Sequence, residues 1–272
     1  MVAHRLTTFG FILTFAFVAL VSCADRNREA TVPIRVQRVV PDTKAKLIIK
    51  LKTDGSSHSV DPVLPFKARS ADGRHKLALD FRYNEKTRIL TSSASGVMLT
   101  HDGLILTNHH VTRTNPSRIE VILKQGKNEV TLRGQLVTYT PFATGGNDMA
   151  VIRVNAHFDD VVRLGEGRQV RERTEVYNYG FPFGLSRYSM GKCYQLGHIS
   201  RARTVISFFS REPRFIMGIR GVGGVSGSGI YAQDGRLIGI MQGHTGFGRW
   251  MVGIPVNQIR RFLDERGIPY SE

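Results

Sequence analysis

The sequence predicts an all-β fold closed by one short C-terminal helix. Three observations carry that prediction. Apolar runs of three to eight residues recur along most of the chain, Gly, Asn and Asp flank them as turn residues, and helical periodicity appears only near the C-terminus. Glycine is abundant, 28 residues against 10 prolines, and no long low-complexity tract accompanies it. The glycines therefore read as turns and close backbone approaches. With 272 residues, 41% of them hydrophobic, the chain can bury one large domain, or two small ones that share a cleft.

Candidate strands at 34–40 and 46–51 flank a Pro41-Asp42 turn. Residues 53–75 carry Gly, Ser, Pro and charge, the composition of a long loop or irregular arm. Further strands are predicted at 97–99, 104–107, 119–123, 130–137, 149–154, 176–179, 205–209 and 237–241. Such spacing fits an antiparallel sandwich or barrel. Asp102-Gly103 and Asp234-Gly235 read as hairpin turns. At the end, Val256, Ile259, Phe262 and Leu263 share one helical face, with Pro255 placed to open the helix and Gly267 to stop it.

The amino terminus reads as an export signal. Arg5 is the sole formal charge before residue 25, and the apolar run 9–21 is too short to span a bilayer comfortably. Leu20-Val21-Ser22-Cys23 is similar to a bacterial lipobox, which would make Cys23 the lipidated first residue. Cleavage after Ala24 is the other reading, since Ser22 and Ala24 are small. The expected divisions are 1–23 as signal, 24–92 as tether and N-terminal arm, and 93–272 as the functional domain. The product is expected in the periplasm or cell envelope as a lipoprotein, or otherwise secreted. With Cys23 removed or lipidated, Cys193 is left alone, so no intrachain disulfide is expected.

The charge is strongly basic, 38 Lys and Arg against 22 Asp and Glu, a net +16. The basic residues are scattered, and no compact nucleic-acid motif gathers them, so specific nucleic-acid binding is not expected. A solvated basic surface is the plain reading, with anionic membrane or envelope polymers as diffuse partners. His157, His198 and the remaining histidines lack metal-ligand spacing. Neither a metal nor another cofactor is expected.

Three segments carry chemistry. In Gly224-Val225-Ser226-Gly227-Ser228-Gly229, glycines on both sides let the backbone turn sharply around a serine. The amides of Gly224 and Ser226 could then converge on a developing oxyanion. Upstream, the hairpin Ser95-Gly96-Val97 to Asn108-His109-His110-Val111 ends in a histidine pair at a strand end, where a rigid sheet can hold a base toward a cleft. Between them, Asn147-Asp148-Met149-Ala150-Val151-Ile152 sets an acid just before an apolar strand, suited to orient a histidine.

Together these segments resemble the trypsin-like serine proteases, and among them the high-temperature-requirement (Deg) type. Residues 95–111 are similar to the signature around that family's catalytic histidine, 148–152 to its aspartate segment and 224–229 to its nucleophile loop. Tyr179-Gly180-Phe181-Pro182-Phe183-Gly184-Leu185 is similar to the family's Gly-x-Pro-x-Gly turn, and Gly253-Ile254-Pro255 to the lead into its last helix. The resemblance covers roughly 93–266 and implies two antiparallel six-stranded β-barrels with the active site between them and a short C-terminal helix. It implies the protease domain only, without a C-terminal peptide-binding domain. By this resemblance the catalytic residues are His110, Asp148 and Ser226, with the oxyanion hole at Gly224 and Ser226. The family's base directly precedes the valine, which selects His110; His109 would then pack under the cleft, and an exchange of the two roles stays open. Val225, Ser228 and Gly229 depart from the family pattern, in which a polar residue, Gly and Pro are usual.

The implied activity is serine endopeptidase chemistry on protein or peptide substrates through an acyl-enzyme. Around the primary pocket, Arg220 and His244 could favour an acidic side chain. The favoured alternative turns Arg220 to solvent and leaves Met241 to line an apolar slot. Two readings from other classes remain open at this point: a catalytically silent binding module on the same scaffold, and a basic envelope protein that binds polyanions.

Overall fold

A computed structural model of the chain describes residues 30–39, 47–50, 57–60, 67–69, 76–78, 81–84, 89–112, 118–125, 128–141, 146–167, 170–182, 193–205, 211–219, 223–245 and 250–272. The signal-like segment, including Cys23 and Ala24, lies outside the described residues, as do Arg220 and most of the candidate strand at 205–209. In chain order the described strands are β1 (Thr31–Val39), β2 (Leu47–Lys50), β3 (Ser57–Val60), β4 (Lys67–Arg69), β5 (Lys76–Ala78), β6 (Phe81–Asn84), β7 (Ile89–Met98), β8 (Leu104–Thr107), β9 (Arg118–Gln125), β10 (Asn128–Thr140) and β11 (Met149–Arg153). There follow β12 (Glu175–Gly180), β13 (Cys193–Thr204), β14 (Arg214–Met217), β15 (Gly229–Ala232), β16 (Leu237–Thr245) and β17 (Trp250–Pro255). One helical turn, α1 (His109–Thr112), interrupts the first set, and α2 (Val256–Asp264) follows the last strand.

These strands form two barrel-like sheets. In the first, β1, β9, β10, β11, β8 and β7 neighbour one another in that order, and β1 also pairs with β7, which turns the sheet back on itself. Strand β6 lies alongside β7. The second is a closed barrel in the order β12-β13-β14-β17-β16-β15. Strands β2 with β3, and β4 with β5, form separate two-stranded sheets. The fold is thus the all-β pair of barrels with a terminal helix that the sequence predicts.

Residues 31–39, which overlap the candidate strand at 34–40, form a strand of the first sheet. Thr31 to Val39 pair residue by residue with β7 from Val97 back to Ile89, and 34–37 pair with β9. The reason is visible in Val32, Ile34 and Val36, which alternate with Pro33, Arg35 and Gln37 at the period of a strand.

Burial divides the core into three clusters. Ala94, Met98, Ile105, Ile119, Val121 and Ile152 fill the first sheet, and Val176, Ile199, Phe215, Met217, Ile230 and Met251 fill the closed barrel. The third cluster joins them. Leu99, Leu106, Met149 and Val151 from the first sheet meet Tyr177, Tyr179, Tyr231 and Ile254 from the barrel, with Ile259, Phe262 and Leu263 from α2. Strand β11 therefore buries both of its faces, which is why it reads as an unbroken apolar run rather than as an alternating one. Helix α2 starts after Pro255, whose extended backbone (φ −73°, ψ 151°) precedes the first turn. Gly267, at φ +60°, ends the reversal beyond its last turn.

Packing is tight enough to require bare backbone at one contact. A Cβ on Gly253 would lie 2.5 Å from the ring of Phe215, which is wholly buried against it. Phe215→Ala is expected to cost about 3–5 kcal/mol, read as a lower urea midpoint. A loss below about 1 kcal/mol would show that the barrel closes over the missing ring.

Candidate active site

Asp148 has no solvent exposure and sits in left-handed backbone conformation, φ +57°, directly before β11. Aspartate tolerates this conformation better than most residues, and such strain concentrates at functional sites. The turn faces the Asp148 carbonyl toward the His109 amide at 3.1 Å and the Asn108 side-chain amide at 3.1 Å. It also brings the carboxylate to the next residue along. Oδ1 accepts the His110 amide N–H at 2.8 Å, and Oδ2 lies 2.8 Å from His110 Nδ1. An ionised carboxylate only accepts, so it selects the tautomer protonated at Nδ1. Nε2 then keeps the lone pair of a base. The ring of His109 takes a different course, stacking on Tyr139 with centroids 4.4 Å apart.

Strand pairing supplies this proximity. Strand β8 ends at Thr107, opposite Ala150 of β11, so the turn leaving β8 and the turn entering β11 lie side by side. His110 rides on α1 immediately after β8, held by rigid sheet rather than by a long loop.

The second barrel brings the serine loop to the same end of β8. Gly227, at φ +82°, packs so closely that a Cβ there would lie 2.3 Å from Ser95 O and 2.3 Å from Thr107 Oγ1. Ser95 is the fastener. Its amide donates to Ser226 O at 2.8 Å, its hydroxyl donates to Gly224 O at 2.8 Å, and the same hydroxyl accepts the Phe181 amide at 3.0 Å. Thr107 Oγ1 in turn donates to Ser95 O at 2.8 Å. Ser226 is partly exposed, whereas Gly224 is buried and holds φ +92°. Among the described residues, neither the Gly224 nor the Ser226 amide donates to a backbone carbonyl. Behind the loop, Asn178 Nδ2 donates to Ser228 Oγ at 2.8 Å and to Gly229 O at 2.7 Å.

The structure therefore brings the His110 ring onto Asp148 and anchors the Ser226 loop on Ser95 of β7, the strand paired with β8. Of the residues expected around a specificity pocket, Met241 is fully buried with the closed-barrel core, and His244 is exposed. Among the described residues, no group of three or more His, Cys, Asp or Glu is gathered to hold a metal ion. One participant escapes the sequence reading altogether. Gln242, 1% exposed, donates from Nε2 to Asp148 Oδ2 at 3.1 Å. Its sequence signal is a glutamine at the end of the apolar run 237–241, where a buried amide needs a partner.

Comparisons with known proteins agree with this geometry. A family model described as the trypsin-like peptidase domain matches residues 94–240. The mitochondrial serine protease HTRA2 of Drosophila erecta is 25% identical over 260 residues, covering 94% of this chain and 56% of its own length. That of Drosophila willistoni is 26% identical over 198 residues, 71% of this chain and 42% of its own. The chain thus spans about half the length of these relatives. Among solved structures, the HtrA-type protease AlgW with a decapeptide superposes with a TM-score of 0.62 at 20% identity, covering 92% of this chain and 68% of its own. At that identity the likeness is one of fold.

Ser95→Ala would leave the Gly224 carbonyl and the Phe181 amide without their shared partner. The expected loss is about 1–3 kcal/mol, measured by denaturant unfolding. An unchanged midpoint would mean that the loop is held by its other contacts.

Proposed function

Because the chain belongs to the trypsin-like peptidase domain family, we propose that it is a serine endopeptidase that cleaves peptide bonds through His110, Asp148 and Ser226. The observation that carries this reading is the 2.8 Å contact between His110 Nδ1 and the fully buried Asp148 carboxylate. His110 Nε2 takes the proton of Ser226 Oγ as the oxygen attacks the peptide carbonyl. Asp148 holds the ring in the required tautomer and stabilises the imidazolium that forms. The protonated imidazole then releases the amine, and water hydrolyses the acyl-enzyme by the same steps in reverse roles. The amides of Gly224 and Ser226 receive the tetrahedral oxyanion. Their lack of a backbone acceptor within the described residues supports that role.

The substrate reading is an extended peptide segment, supported by the fold likeness to HtrA-type proteases solved with a decapeptide and with a tripeptide. Export is proposed from the signal-like amino terminus, with Cys23 as the lipidated residue or Ala24 as the last residue removed. In that reading the basic surface meets the anionic polymers of an envelope.

Ser226→Ala should abolish labelling by a serine-directed phosphonate and all cleavage of a peptide library, while the fold persists by circular dichroism. Labelling that survives would remove Ser226 from the nucleophile role. Asp148→Asn, which reverses the tautomer selection, should lower kcat by about 1,000- to 10,000-fold. A loss smaller than about tenfold would leave His110 without need of its carboxylate.

A further inference from the structure

Arg214 is the largest side chain among the described residues with no solvent exposure. It opens β14 in the wall of the closed barrel, and its guanidinium reaches back toward the pair described above. Nε donates to Gln242 Oε1 at 2.7 Å and Nη1 to Gln258 Oε1 at 2.5 Å. Nη1 also meets the carbonyls of Pro213 at 3.3 Å and Glu212 at 3.5 Å, and Nη2 that of Asn147 at 3.5 Å. All five acceptors are neutral. The Glu212 carboxylate pairs with Arg261 of α2 at 2.9 Å. Burial pushes the guanidinium down to about 10, against the pull of Asp148 and Glu212, which leaves it charged at neutral pH. Burying a charge among neutral amides is costly, and an apolar side chain would fill the same volume at less expense in free energy.

We propose that Arg214 is a positioning residue for the His110–Asp148 pair, acting through Gln242; the proposal rests on the catalytic reading above. The reasoning is one of polarity. An amide presents an accepting end and a donating end, and either could face Asp148. Arginine has donors only. Its Nε claims Gln242 Oε1, so Nε2 is the end left for Asp148 Oδ2, at 3.1 Å. The opposite orientation would set an amide oxygen against the carboxylate and an amide N–H against the guanidinium. Gln258, itself 3% exposed, fixes the arginine from α2 and donates from Nε2 to Pro213 O at 2.7 Å. The contact of Nη2 with Asn147 O holds the residue before Asp148 as well. The result is an oriented line from Gln258 through Arg214 and Gln242 to Asp148 and His110. Its positive charge lies on the carboxylate side of the pair.

The groups facing this line are Asp148 from the turn before β11, Glu212 with its partner Arg261, and His110 on the Asp148 carboxylate, while the neighbouring His109 stacks on Tyr139. Removing the positive charge should favour the protonated imidazole. In the full-length protein, Arg214→Met should lower kcat about ten- to a hundredfold with little change in KM. It should also move the acid limb of kcat/KM upward by about half a pH unit or more. Arg214→Lys, charged and donor-only, should return the limb to its wild-type position and recover most of kcat. Gln242→Met, which removes the amide between arginine and carboxylate, should move the limb in the same direction as Arg214→Met.

A second readout is the downfield proton resonance of His110 Nδ1, followed against pH in each variant. An acid limb and resonance in Arg214→Met that match wild type would overturn the proposal whatever the rate. So would a lysine variant displaced as far as the methionine one. If Arg214→Met does not fold, Gln242→Met decides, and a wild-type limb and resonance there overturn it. If the wild-type protein cleaves no peptide, the endopeptidase reading fails by itself, and the resonance alone still decides the role of Arg214.

Discussion

A carboxylate with no access to water must be surrounded by donors, and the geometry between the two barrels answers that requirement at Asp148. Its left-handed backbone aims the main-chain carbonyl at Asn108 and His109 and the side chain at His110 and Gln242. Donors therefore arrive from both sheets, the histidine from the end of β8 and the glutamine from β16. Were the carboxylate exposed, water would satisfy it, and this link between the two sheets would be weaker.

The seam around it is built for stiffness. Tyr177, Tyr179 and Tyr231 pack together on the barrel side, with Tyr177 and Tyr231 stacked at 5.3 Å. Met149 and Val151, the residues that follow Asp148, are buried in the same cluster. Ser95 then stitches the serine loop to β7 with two main-chain partners on one hydroxyl. Positioning by strand ends and by buried hydrogen bonds gives a reacting group less freedom than a surface loop would.

Much of this was legible in the sequence, for identifiable reasons. Strand β8 is wholly buried and β11 is buried up to Ile152, so they read as plain apolar runs, and the hairpins at Asp102-Gly103 and Asp234-Gly235 carry their own turn chemistry. Gly103 and Gly235 both adopt positive φ as such turns require. Strand β13 was not legible. Its run Cys193–Thr204 mixes His198, Arg201 and Arg203 with exposed Tyr194 and Leu196, and only its pairing with β12 and β14 makes it a strand. Arg214 and Gln258 escaped for a related reason. An arginine and a helical glutamine separated by 44 positions look like surface residues, and only the closed barrel reveals that each is the other's buried partner. A histidine pair at a strand end and an acid before an apolar run mark 109–110 and Asp148 locally, whereas the choice of His110 over His109 rested on the family resemblance.

The membership of β1 in the first sheet has a practical corollary for where the folded unit starts. Strand β1 lies between β7 and β9, bonded to both. A shortened chain starting at residue 93 would retain His110, Asp148 and Ser226 but strip one of the two pairing partners from β9 and leave only the last part of β7. That exposes raw sheet margin, the kind of surface on which β proteins stick to one another.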